Sequence, residues 1–165
     1  MAHMTGYDFF LNYVAVYIST GETRYIYFNQ DSGKVYYRNK IGSPSHAKHT
    51  GIYIGNDLNG TQWWIHNHYH VGKASITTGE NFKQNLPIYI YHEYCSNSWR
   101  TVIEKGLQHI LRGEHYKPYS YNCQTLVNDS CNNVRKSEDA ERIVGGALLG
   151  LGLFAIVALI AGSGE

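Results

Sequence analysis

Tyr121-Asn122-Cys123-Gln124-Thr125-Leu126-Val127-Asn128 joins a capping residue, a cysteine and the start of an apolar helical pattern. An asparagine suited to helix N-capping precedes a cysteine, and an apolar helical pattern (Leu126, Val127, then Val134) follows. If Asn122 caps and Cys123 opens the helix, the thiol stands at the positive end of a helix dipole, a position that suits a nucleophile. A small buried hydrophobe is the plainer role for a lone cysteine. The two differ in whether the rest of the chain supplies a base.

Upstream, Trp99 to Arg112 predicts a helix. Ser98 is its cap, Trp99, Val102, Ile103, Leu107, Ile110 and Leu111 form its apolar stripe, and Gly113 is its stop. Further back the pattern turns to strands. Val14 to Ile18, Tyr25 to Phe28 and Val35 to Tyr37 are short apolar or aromatic runs separated by Ser19-Thr20-Gly21-Glu22 and Asp31-Ser32-Gly33. His49-Thr50-Gly51-Ile52-Tyr53-Ile54-Gly55 and Gln62-Trp63-Trp64-Ile65-His66 form a hairpin around the turn residues Asn56-Asp57 and Asn59-Gly60. Leu86 to Tyr91, with its proline, reads as an edge strand, and Gly72 to Asn85 has no clear pattern. Strands, then a helix, then the cysteine helix: the expected class is α+β, an antiparallel sheet packed against a Cys-bearing helix.

Composition agrees. A chain of 165 residues suffices for one domain with a core. Fifteen tyrosines and seventeen glycines against three prolines suit a β-rich, turn-rich body. A net charge of +1 argues against a general electrostatic grip on nucleic acid. Cys95, Cys123 and Cys131 show no disulfide framework, so free thiols in a reducing compartment are expected. Met1 to Met4 resembles a cloning remnant, Arg135 to Glu141 is a charged connector, and the twenty residues from Ile143 to Gly162 carry no charged or strongly polar side chain. As a helix that run is about 30 Å long, the thickness of a bilayer's hydrocarbon core. Its glycines are better tolerated in lipid than in a soluble helix, and Gly146 to Gly150 is a GxxxG that permits self-association. The domain is therefore placed at residues 5–134, the connector at 135–142 and a membrane-associating C-terminal apolar helix at 143–162.

A thiol nucleophile needs a base, and the base benefits from an orienting group. His49 and His66 fall on adjacent strands of one hairpin, where cross-strand neighbours meet. His66, His68 and His70 alternate, so an extended strand would point all three to one face, an arrangement able to ligate zinc. No carboxylate or cysteine motif accompanies them, and no metal site is expected.

The His49 box, His66 and the distant Asn122-Cys123, together with the approach from Gly113 to Lys117 and the apolar tail, resemble the H-box and NC-box of the lecithin:retinol acyltransferase family. The small phospholipase/acyltransferase tumour-suppressor proteins look similar, as do the picornaviral 2A proteins of the H-box/NC type. The resemblance covers roughly Ser45 to Gly162, weakly in the middle.

It implies a circularly permuted papain-like fold of the NlpC type. Cys123 is then the nucleophile, His49 the general base and His66 its orienting partner, with Asn122 and Tyr53 as binding residues and no cofactor. The implied chemistry is acyl transfer from a glycerophospholipid through a cysteine thioester, at the cytoplasmic face of intracellular membranes. The viral branch implies a replication-associated protein in a host cell, with host proteins or RNA as partners and no commitment to catalysis. An NlpC-type amidase is a third reading. Two features depart from the family pattern: Gln124-Thr125-Leu126 replaces Glu-His-Phe, and Asn56 to Thr61 lengthens the hairpin. A one-residue register shift there would turn His66 to the wrong face of the sheet.

Overall fold

The computed structural model describes residues 3–42, 47–68, 70–92, 94–118 and 120–142. The apolar segment 143–162 lies outside them. Eight strands form one antiparallel sheet: β1 (Met4–Phe9), β2 (Tyr13–Ile18), β3 (Thr23–Tyr27), β4 (Val35–Asn39), β5 (Lys48–Asn56), β6 (Gln62–His68), β7 (Lys73–Thr78) and β8 (Tyr89–His92). Helices α1 (Gly79–Lys83), α2 (Trp99–Arg112) and α3 (Cys123–Asn132) accompany it among the described residues. The α+β class and the antiparallel sheet agree with the sequence.

Strand β5 is the hub. One edge pairs with β4 over Lys48 to Ile52 and touches β3 at Asn56, and the other pairs with β6. Side-chain alternation sends Ile52 and Ile54 into the main core with Ile65, Val102, Ile103, Leu107, Leu126 and Val127, the face covered by α2 and α3. Tyr53 and Trp64 point the other way and form a second cluster with Phe82 of α1. Gly51 is required there, because a Cβ would lie 2.6 Å from the Phe82 ring.

The lengthened hairpin resolves the register question. Ile52 pairs with Ile65 and Tyr53 with Trp64, then Gly55 pairs with Trp63. Ile54 is the extra residue of a bulge, so the slip is absorbed between Tyr53 and Gly55 and never reaches His49 or His66. Gly55 has φ 157°, and a Cβ there would collide with the Tyr27 carbonyl. The hairpin end is closed by Asp57, whose carboxylate accepts from Asn59 N (2.9 Å), Thr61 N (3.0 Å) and Trp63 Nε1 (3.0 Å).

Helix α2 has the limits its sequence predicts, with Ser98 Oγ accepting from Thr101 N and Gly113 left-handed at φ 64°. Helix α3 begins as predicted but stops earlier. Asn133 turns left-handed (φ 59°) and leaves Val134 exposed, not in the apolar stripe.

Other expectations need correction. Cys95 and Cys131 form a disulfide, with Cα atoms 4.8 Å apart, so Cys123 is the free cysteine and the expectation of three free thiols is wrong. The pairing arises because the segment before α2 is stitched to the end of α3: Asn97 N donates to Cys131 O (3.0 Å), and Asn97 Nδ2 to Ser130 O (2.8 Å). Met4, set aside with the start of the chain, is buried and pairs with Ile18 in β1. The connector also packs. Ser137, Asp139 and Ala140 are buried, and 138–142 form a helical turn. No described helix is long and apolar enough to cross a membrane.

Candidate functional site

Asn122 sets the position of Cys123. Its Oδ1 accepts from Gln124 N (2.9 Å) and Thr125 N (3.1 Å), and its Nδ2 donates to Pro118 O and Ser137 Oγ, both at 2.8 Å. The carboxamide is fully used in capping and in tying down the flanking chain, which makes Asn122 a positioning residue. The Cys123 N–H is a first-turn helix donor with no intrahelical acceptor, and the cap takes the two N–H groups after it.

The Cys123 thiol is buried and donates to Lys48 O at 3.7 Å. The same peptide segment is held from its other side, since Lys48 N donates to Asp139 Oδ2 (3.3 Å) and Asp139 pairs with Lys40 Nζ (3.1 Å). Gln124 places Asp139: its Oε1 accepts from Ser137 Oγ and Asp139 N, each at 2.9 Å. The thiol therefore rests against the residue that precedes His49.

His49 and His66 meet as the hairpin predicts. His49 Nε2 and His66 Nδ1 are 2.9 Å apart, and both side chains are buried. Their rings stand on the Phe82 face of the sheet, 5.6 and 5.9 Å from the Phe82 ring centroid, with His68 5.1 Å from His49. Burial, the neighbouring imidazoles and the Arg38 cation all disfavour protonation. His49 is held well below the ordinary imidazole range, and His66 is pushed down to about 3, burial being the largest cause for each. At neutral pH the pair is uncharged. One nitrogen then donates to the other, and only the tautomer with His49 Nε2–H donating to His66 Nδ1 leaves a lone pair on His49 Nδ1.

The parts of a thiol site are thus adjacent but not joined in one chain of bonds. Among the described residues the thiol bonds to Lys48 O, while the His49–His66 pair bonds internally. Tyr53 stands apart from both. Its hydroxyl donates to Asn56 Oδ1 (2.7 Å) and accepts from Asn29 Nδ2 (2.9 Å), and its ring packs on Trp64. It is separated from His49 by the stacked Trp64 and Phe82 rings. His66, His68 and His70 do share a neighbourhood, with successive rings 5.4 and 5.2 Å apart. Among the described residues no trio of His, Cys, Asp or Glu is grouped as a metal would need.

Two cavities flank the histidines. One of about 470 Å³ is walled by Ile18, Trp63, Val71 and Ile76 and reaches His66 and His68. The other, about 530 Å³, is bounded by Arg38, Lys40, His49, His68 and Asn67. Asn67 also ties β6 to the loop before the cysteine, donating from Nδ2 to Tyr121 O (3.2 Å).

Arg38 was not legible as a site residue, although its strand carried a signal. It alternates with Tyr36, whose ring packs on Trp64, so a cation falls on an inward-facing position. No family model, curated protein or solved structure matches the chain.

Proposed function

We propose that the chain is a thiol acyl-transfer protein with a circularly permuted papain-like arrangement, in which Cys123 attacks the ester of a glycerophospholipid. The observation that carries the reading is the His49–His66 pair, bonded at 2.9 Å, with His49 on the strand whose first carbonyl accepts from the thiol of an N-capped Cys123. Catalysis requires the Cys123 side chain to turn off Lys48 O and bring its thiol past the start of β5 to His49 Nδ1. The proton passes to that nitrogen as sulfur bonds to the ester carbonyl carbon. The Cys123 N–H is one donor for the oxyanion. Collapse breaks the ester C–O bond, and the departing alkoxide takes the proton from His49 to leave as the lyso-lipid alcohol. Water or an amine then attacks the thioester, His49 takes its proton, and the thiol is restored as the acyl group departs. His66 accepts from His49 Nε2–H and keeps the reactive tautomer.

The cavity walled by Ile18, Trp63, Val71 and Ile76 suits an acyl chain beside that chemistry. The apolar segment 143–162 suits an anchor at the cytoplasmic face of an intracellular membrane, where the substrate lies, and its GxxxG suits self-association. The test is release of fatty acid or transfer of an acyl group from glycerophospholipid vesicles by the full chain. Turnover lost in Cys123→Ala supports the reading, and no turnover by the native chain counts against it.

One observation favours a second reading. The thiol is spent on a backbone carbonyl rather than on the imidazole, which suits a viral accessory protein that keeps the fold and acts by binding host proteins, RNA or membranes. Vesicle turnover dependent on Cys123 removes it.

A further inference from the structure

Arg38 is 3% exposed and lies directly across from His49 in the β4–β5 pairing. Its guanidinium bonds to neutral oxygens: Nε donates to Phe82 O (2.6 Å), Nη1 to Asn39 O (3.0 Å) and Nη2 to Gln84 Oε1 (2.8 Å). Three of the five guanidinium N–H donors are so engaged. Among the described residues no carboxylate pairs with it, and none lines the cavity it borders. The neighbouring cation, Lys40, is already neutralised by Asp139 at 3.1 Å. A buried cation without a counter-charge is costly to the fold, because desolvation is not repaid by an ion pair. Its reach extends over the histidines, since the same charge acts on His49, His66 and His68.

We propose that the cavity bounded by Arg38, His49 and His68 is a binding subsite for a phosphate-type oxyanion, with the Arg38 guanidinium as its charge partner. The planar fork of arginine matches phosphate oxygens, and the half-buried His68 imidazole adds a donor at the mouth. The volume of about 530 Å³ exceeds that of one phosphate and leaves room for the groups it esterifies. The apolar cavity is next door, sharing His68 and Gln84, so a single amphiphile can place its phosphate against Arg38 and its chain against Trp63 and Ile76. The placement beside a reacting ester rests on the acyl-transfer reading; the binding itself does not need the thiol.

The full-length Cys123→Ala chain, which cannot turn over, is titrated with three probes: inorganic phosphate, dihexanoyl phosphatidylcholine below its micelle concentration, and dihexanoylglycerol, which lacks phosphate. Imidazole resonances of His49 and His68 report occupancy. A phosphate-bearing probe shifts them saturably, and Arg38→Gln weakens that binding by about tenfold or more while leaving dihexanoylglycerol unchanged. Binding of inorganic phosphate alone assigns the subsite to a free anion, and binding only of the phospholipid assigns it to a headgroup; both uphold it. Absence of a saturable shift with either phosphate probe overturns the proposal, as does undiminished binding by a folded Arg38→Gln chain. If Arg38→Gln does not fold, the histidine shifts of the Cys123→Ala chain decide alone. A native chain that never acylates Cys123 yet binds phosphate through Arg38 ends the acyl-transfer reading and leaves the subsite standing. Lipid turnover indifferent to Arg38→Gln does the reverse.

Discussion

Two buried histidine sites lie on opposite faces of the sheet, and their company differs. Between α2 and α3, His109 Nε2 meets Asp129 Oδ2 at 3.1 Å, and its Nδ1 is 3.0 Å from the Tyr121 hydroxyl. Burial pushes the His109 imidazole down, and the Asp129 carboxylate pulls it back. On the other face, among the described residues, His49 and His66 meet each other, His68, the Phe82 ring and the charges of Arg38 and Lys40, with no carboxylate beside them. The first site is a strut: a carboxylate compensates the buried ring and both of its nitrogens are engaged. The second bears the cost of burial without compensation, and a group so placed is a candidate for chemistry.

Activity should separate the sites first. On the acyl-transfer reading, Cys123→Ala or His49→Gln lowers turnover by about a thousandfold or more, measured as fatty acid released from glycerophospholipid vesicles. His66→Leu, which removes only the acceptor for His49 Nε2–H, lowers it by about tenfold to a hundredfold. Equal losses at His109→Leu, per folded molecule, would erase the distinction between strut and site.

Stability should separate them the other way. Reducing the Cys95–Cys131 bond, which secures the α3 end of the strut region, lowers stability by about 2–4 kcal/mol in urea titrations with and without reductant. Asp129→Asn costs about 2 kcal/mol, because it leaves a buried imidazole without its carboxylate.

The acid limb separates the sites by pH. His66 titrates near 3 in the fold and near 6.5 unfolded, so the unfolded chain binds the extra proton between those values. Its contribution is fully present above about pH 6.5 and is lost as pH falls toward 3. His66→Gln should flatten the decline in unfolding free energy across that window; an unchanged slope would mean that His66 is not held neutral by the fold.

Local signals carried much of the reading. Ser98, Gly113 and Asn122 act on backbone groups within one turn, so the limits of α2 and the start of α3 follow from a few residues. The β5–β6 hairpin and its histidines were legible because the turn residues Asn56-Asp57 and Asn59-Gly60 stand between two apolar runs that each carry a histidine. What escaped depends on distant contacts. The bulge at Ile54 is tied to Gly55 meeting Tyr27, and Cys95 reaches Cys131 only after α2 and α3 pack. Strand β1 was hidden by its own Gly6 and Asp8 and is recruited by pairing with β2. Arg38 looks like any strand cation until the absence of a carboxylate partner among the described residues becomes visible.

The nucleophile can be trapped covalently. The native chain is exposed to an acyl-directed fluorophosphonate probe and digested, and the modified peptide is sequenced by mass spectrometry. Acyl transfer through Cys123 requires an adduct on that residue that is lost in His49→Ala; no adduct on Cys123, or labelling that persists undiminished without His49, would rule it out.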